Sequence, residues 1–335
     1  MTTPRYDVLA IGNAIVDVVA SCPDELIEEL ALPRGGMLLV DGDRARELYD
    51  AMGPAREISG GSAANTLAGL SALGAQCAFV GQVADDQLGE VFAHDIRAVG
   101  IDYDTPPLPA PPTTARCLIF VTPDGQRTMN TFLGATRFLP EAAVDAGLIR
   151  DAGILYCEGY LWDSDEPRAA IRRAIAIARD AGRKVAFTLS DAFLIDRHGD
   201  DFRAMLEAGE IDILFANHVE LAALTGEDSL EAGIALLAPL VPTLVVTRSA
   251  NGAVALSRGE RGGQRAEIAA EPVAHVVDTT GAGDLFAAGF LFGQVGGHDL
   301  ATSLRMGAIC AAEIISHYGA RPEADLRQLV AERLA

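Results

Sequence analysis

The stretch Asp278-Thr279-Thr280-Gly281-Ala282-Gly283-Asp284 sets two acids, two hydroxyls and two glycines against the apolar run 285–292. A loop entering a helix there leaves first-turn N–H groups unpaired, and those donors with the helix dipole attract anionic oxygens. Gly281 and Gly283 let the backbone approach a phosphate where a β-carbon would collide. Asp284 would then stand ionised in the first turn, beside the N–H groups of Gly281, Ala282 and Gly283. A carboxylate repels phosphate, so its useful chemistry is to take a proton from a hydroxyl attacking phosphorus. The same residues also make a glycine-rich turn with a helix-stabilising aspartate, and the motif alone does not separate the readings.

Four other segments carry comparable chemistry. Gly12-Asn13-Ala14-Ile15-Val16-Asp17 follows an apolar run. In an open α/β sheet such loops form the ligand crevice, where Asn13 and Asp17 would offer acceptors to vicinal hydroxyls. It also reads as an ordinary turn with a solvated Asp17. In Gly60-Gly61-Ser62-Ala63-Ala64-Asn65 the glycines again permit close approach, and Asn65 both donates and accepts. Ser62 there also reads as a helix cap. Asn217 and Glu220 share one face of a helix start. Glu220 suits water-mediated Mg²⁺ beside nucleotide phosphates, and the pair equally reads as a cap with a first-turn acid. Thr247 to Gly252 is a small polar loop that could hold a nucleotide's ribose or phosphate, or simply a β-turn.

The elements that must position these residues alternate. Short β-rich runs at 8–11, 77–81, 154–157, 185–189, 213–216 and 243–247 are separated by amphipathic stretches at 63–73, 89–99, 168–181 and 230–240. The C-terminal part is helix-rich, at 283–293, 300–315 and 324–334. This predicts an α/β fold, a mostly parallel sheet flanked by helices, with 253–257 and 265–268 as an antiparallel edge. Residues 104–112 are crowded with prolines and exclude a helix interior. After them, 116–122, a Pro-Asp-Gly turn and 127–133 read as a hairpin outside the parallel core. We expect one domain over 1–335, with a small β lid inserted from about 16–40 and 104–135.

The chain has 335 residues, half of them hydrophobic, and a formal net charge of -21. That surface repels nucleic acid and anionic lipid. Lys184 is the only lysine, so a Walker A loop and the protein-kinase strand lysine are both excluded. Five scattered cysteines without metal-ligand spacing suit buried thiols in a reducing compartment. With no signal peptide and no apolar run of membrane length, a soluble cytoplasmic protein is expected.

Taken together, these motifs resemble the ribokinase-type (PfkB) family of sugar and nucleoside kinases. Residues 60–65 are similar to its N-terminal signature and Asp278 to Asp284 to its C-terminal signature. The resemblance covers essentially the whole chain and implies a doubly wound ribokinase-like sheet with a β lid. It implies Asp284 as catalytic base and backbone N–H groups of Gly281, Ala282 and Gly283 as an anion hole. Asn13, Asp17, Gly60, Gly61 and Asn65 would bind the acceptor. Asn217 and Glu220 would organise Mg²⁺ and ATP, and Thr247 and Gly252 would line the nucleotide site. Asp278 and Thr280 match a monovalent-cation site, K⁺ being the candidate ion. Ser249 departs from a glycine frequent in the nucleotide loop. Ser62 departs from the ribokinase lysine and, with Gly12, Asn13 and Asp17, looks like the adenosine-kinase branch.

The expected activity is therefore ATP-dependent phosphorylation of a hydroxymethyl group, the 5′-hydroxyl of adenosine before others. Leu133-Gly134-Ala135 could wall a purine slot, with Phe132 or Tyr160 stacking on the base. The alternative is a sugar or sugar-acid kinase, in which Arg116, Arg127 or Arg137 would meet an acidic substrate. A more distant alternative is a non-catalytic binding protein of the same fold. The lid could close over its own site or pair with a second subunit's, leaving monomer and homodimer both open.

Overall fold

The computed structural model describes residues 4–258 and 263–335. The strands of the first half are β1 (Tyr6–Ile11), β2 (Ile15–Ser21), β3 (Met37–Leu39), β4 (Arg56–Gly60), β5 (Cys77–Val80), β6 (Ile101–Tyr103), β7 (Ala115–Val121), β8 (Arg127–Phe132) and β9 (Ala152–Glu158). The second half adds β10 (Lys184–Thr188), β11 (Ile213–Asn217), β12 (Thr243–Thr247), β13 (Ala253–Ser257) and β14 (Gln264–Ile268).

Nine strands form the main sheet in the order β14-β13-β12-β11-β10-β9-β1-β5-β6. All neighbours from β12 to β6 are parallel. The expected edge at β13 and β14 is antiparallel. β5 and β9 are buried at nearly every position because helices cover both faces. The helices Ser62–Leu73, Ala282–Val295 and Leu300–Ile314 contribute to one apolar cluster, while Asp165–Asp180 and Ala192–Glu207 contribute to the other. The chain runs outward from β1 through β5 and β6, then returns to the opposite side of β1 with β9. Strand order therefore reverses between β1 and β9, where an open α/β sheet leaves its ligand crevice.

The second sheet has five strands in the order β3-β8-β7-β2-β4. β2 alternates buried and half-buried residues, so one face is packed and the other carries Ile15 and Asp17 toward the crevice. The expected hairpin is β7 and β8. β4 is a strand that the apolar pattern does not announce, being short with charged residues at its start, and it extends the sheet beyond 16–40. The proline-crowded stretch 104–114 supplies no strand to this sheet; its one bridge, at Leu108, is to Ala84. The helices Gly42–Ala51 and Ala192–Glu207 were likewise not expected from periodicity. No helix among the described residues is long and apolar enough to cross a membrane.

Candidate active site

A cleft of about 500 Å³ lies between the two sheets, at the C-terminal ends of β1, β9, β10, β11 and β12. Asn13, Asp17, Gly61, Asn65, Asn217, Glu220, Thr247, Thr280, Gly281, Ala282, Gly283 and Asp284 all line it. Gly60, Gly252 and Asp278 do not. Gly60 lies directly behind Asp17, where a β-carbon would fall 2.6 Å from a carboxylate oxygen. Gly252 closes the turn after β12 at φ +82°, and its carbonyl accepts from the Arg248 N–H.

Asp284 stands in the first turn of the helix Ala282–Val295, whose N-cap Gly281 has φ +77°. That left-handed backbone favours glycine and turns the chain sharply into the helix. The Ala282 N–H donates to Thr279 O, so among the three expected donors it is engaged, whereas a β-carbon at Gly283 would meet open space. The Asp284 carboxylate accepts from Ser62 Oγ at 2.6 Å and from Asn65 Nδ2 at 3.1 Å. Burial pushes its carboxyl above the ordinary value, against these two hydrogen bonds and the Arg321 charge. Asn65 Oδ1 is buried with no partner, an acceptor left open at the cleft.

Glu158 ends β9 and is fully buried. One of its oxygens accepts from the Asn13 N–H and side-chain amide, and the other from the Ala63 N–H at 2.7 Å. It thereby ties the loop after β1 to the start of the helix Ser62–Leu73. Gly61 makes this approach possible: it adopts φ +100°, and a β-carbon there would lie 2.2 Å from Asn13 O. Burial pushes Glu158 up to about 7 and Asp17 up to about 6. For Asp17 the Arg321 and Arg127 charges oppose that rise.

Asn217 and Glu220 form a reciprocal capping box. Asn217 Oδ1 accepts from the Val219 and Glu220 N–H groups, while the Glu220 carboxylate accepts from the Asn217 N–H and amide. Burial pushes Glu220 up to about 7. Each of its oxygens takes one of these donors and keeps acceptor capacity toward the cleft, which fits a water-bridged divalent cation. Ser249, standing where a glycine was noted as frequent, adopts φ +51° and so keeps the left-handed turn.

Asp278 is the floor beneath the loop. Oδ1 accepts from Thr280 N and Oγ1, and Oδ2 from the Gly319 N–H and from Arg127 Nη2 at 2.7 Å. Arg127 also reaches Thr280 Oγ1, and both charged side chains are under a tenth exposed. A monovalent cation would need those same oxygens and would sit against a guanidinium, so these residues do not fit one.

The model of the pfkB family carbohydrate kinases matches residues 44–326. The chain belongs to that family. It is similar to the adenosine kinase of Sinorhizobium meliloti, at 46% identity and a TM-score of 0.90, covering 99% of this chain and 100% of the other. It is similar to a probable sugar kinase of Rhizobium etli, at 44% identity and a TM-score of 0.92, covering 98% and 99%. Fructokinase-1 of Oryza sativa is 30% identical over 69% of this chain and 72% of its own. As a pfkB kinase the protein is a phosphotransferase with an alcohol group as acceptor.

Several residues of this pfkB kinase site escaped the sequence. Glu158 left one signal, a lone carboxylate ending an otherwise apolar strand at the sheet's crevice. Arg321 left none. Ser62 was read as a cap and as a departure from the ribokinase lysine; its hydroxyl caps nothing and donates to Asp284. Tyr160 lines the cleft with its hydroxyl on Ser190 O, whereas Phe132 is not among the lining residues and has the Arg116 guanidinium over its ring.

Proposed function

We propose that this pfkB kinase transfers the γ-phosphoryl group of ATP to the 5′-hydroxyl of a purine nucleoside, adenosine first. The observation carrying this reading is the wall facing Asp284. Asn13 and Asp17 would offer oxygens to a vicinal diol, and Ile15, Met37, Leu39, Met129 and Leu133, with Thr131 and Cys117 among them, make that wall mostly apolar. Among the described residues lining the cleft there is no Arg, Lys or His. A sugar acid or sugar phosphate would leave its anion unpaired there, while a flat base buries well. Arg116 lies over the Tyr49 and Phe132 rings, Arg127 pairs with Asp278, and Arg137 bonds Ser164. None of the three lines this wall. The identity to the Sinorhizobium meliloti adenosine kinase supports the reading. The rice fructokinase favours a neutral sugar as the second reading, though that would leave the apolar wall uncovered.

In this mechanism Asp284 accepts the hydroxyl proton as the oxygen attacks the γ-phosphorus, and the bond to the ADP oxygen breaks on the opposite side. The Gly281 and Gly283 N–H groups hold charge on the transferred group. Ser62 and Asn65 keep the carboxylate aimed, and Asn65 Oδ1 takes a substrate hydroxyl. Asn217, Glu220, Thr247 and the turn closed by Gly252 form the ATP end. Mg²⁺, bound with the nucleotide, would neutralise phosphate charge, with Glu220 facing its water shell. The small sheet acts as the lid over the acceptor. ATP consumption with adenosine, inosine, guanosine, ribose, fructose and 2-keto-3-deoxygluconate tests the proposal: adenosine should be preferred, and turnover confined to a free sugar would sink it.

A further inference from the structure

Arg321 lies between the helices Leu300–Ile314 and Leu326–Leu334, far in sequence from the segment it holds. Nε donates to Ser59 O at 3.1 Å, Nη1 to Ala64 O at 2.8 Å and Nη2 to Ser59 Oγ at 3.1 Å. The Ser59 N–H is held in turn by Asp95 Oδ2. The guanidinium fork thus grips both ends of the turn that contains Gly60, Gly61 and Ser62. Ser62 and Asn65, on that turn and just past it, are the two donors on Asp284.

All three acceptors of Arg321 are uncharged, and it forms no ion pair among the described residues. Its charge is nevertheless felt by Asp17, Asp284 and Asp95. The distinction matters chemically. A guanidinium in contact with a catalytic carboxylate would occupy the lone pairs that must receive substrate protons. A cation held nearby by neutral acceptors favours the ionised form and leaves those lone pairs free.

We infer that Arg321 is a positioning residue: it fixes the turn from Ser59 to Ala64 and keeps Asp17 and Asp284 charged without covering either. This rests on Asp284 being the base of the proposed reaction. Burial pushes both carboxyls up, and the Arg321 charge opposes the rise in each. Burial lowers Arg321 itself to about 10, so it stays charged at neutral pH. The other charged and titratable groups felt around this pair are Glu158 and Tyr156 of β9, Tyr160 beyond it, Cys117 of β7, Arg127 of β8 and Asp278. Arg127 is already committed to Asp278, which leaves Arg321 as the uncommitted positive charge of the group.

Three variants separate charge from clamp. Arg321→Met removes both, Arg321→Gln keeps donors without charge, and Arg321→Lys keeps charge without the fork. The readouts are the acid limb of kcat/KM against pH and the titration midpoint of Asp284 by NMR of ¹³C-carboxyl-labelled aspartate. With Met or Gln the limb and midpoint should rise by about one pH unit, an approximately tenfold loss of kcat/KM below the limb. Lys should leave the limb in place and raise KM for the acceptor several-fold. An unmoved Asp284 midpoint in both Met and Gln variants, or a loss of rate uniform across pH, would overturn the inference. Gln serves should the Met variant not fold. Absence of turnover in the wild type would count against the proposed function alone, since the NMR midpoint decides Arg321 without turnover.

Discussion

Glu158 accepts hydrogen bonds from both the N–H and the side-chain amide of Asn13, at 2.8 and 2.6 Å, across the boundary where strand order reverses. An acid at the end of β9 therefore sets the orientation of a residue in the loop after β1. Asn13 turns its N–H and Nδ2 to Glu158, and its Oδ1 accepts from no described donor while the residue lines the cleft.

This pairing predicts a pH signature in stability. The folded pKa of Glu158, about 7, lies above the ordinary 4.5, so between those values the folded state holds a proton the unfolded state has released. The stability this contributes is fully present below pH 4.5 and is lost as pH rises to about 7, on the order of 3 kcal/mol at most. Glu158→Gln removes that slope. Urea melts of both proteins at several pH values check it, and parallel profiles would count against the assigned shift.

Asp284→Asn should keep nucleoside binding within a few-fold, because the amide still accepts from Ser62 or Asn65. Its kcat should fall by about 10²–10⁴, the usual cost of losing a general base. Calorimetric binding beside steady-state rates checks both halves, and near wild-type turnover would remove Asp284 from the base role.

The Arg127–Asp278 pair predicts indifference to monovalent cations. Rates in K⁺, Na⁺ and choline buffers of equal ionic strength should agree within about twofold, because a guanidinium already supplies the charge. Arg127→Met leaves Asp278 buried without its counter-charge and should cost about 3–5 kcal/mol in denaturant melts. A steep K⁺ dependence of the wild type would contradict the arrangement.

Asn217→Ala removes the cap of the helix His218–Thr225 and frees Glu220 from its amide donor. Stability should fall by about 1 kcal/mol and KM for ATP should rise with little change in KM for the acceptor. A rise confined to the acceptor would place this pair at the wrong end of the cleft.

Much of the architecture was legible locally. β5, β9 and β12 announce themselves as continuous apolar runs because both of their faces are covered, and the β7–β8 hairpin by its Pro-Asp-Gly turn. β4 was not legible, since Arg56 and Glu57 break the pattern and its partner β2 lies in a different part of the sequence. Asn217 and Glu220 were read both as a cap and as cation-facing groups; the structure contains the cap and also places both residues in the cleft. Asp278 was matched to a cation site by the family resemblance, which could not reveal that Arg127, on a hairpin more than a hundred residues earlier, reaches it.

The sequence by itself determined the glycine-rich loop from Asp278 to Asp284 that enters a helix, the class of sheet and the absence of a Walker lysine, because spacing and apolar periodicity are properties of neighbouring residues. Only the tertiary structure decided what surrounds Asp284. Ser62 stands 222 positions away from it, and Glu158 stands 145 from Asn13. Such contacts follow from strand order and from two sheets closing on one cleft, and no local pattern encodes either. The same burial that makes the site also moves its acids' pKa values, so the chemistry of these carboxylates exists only in the folded chain.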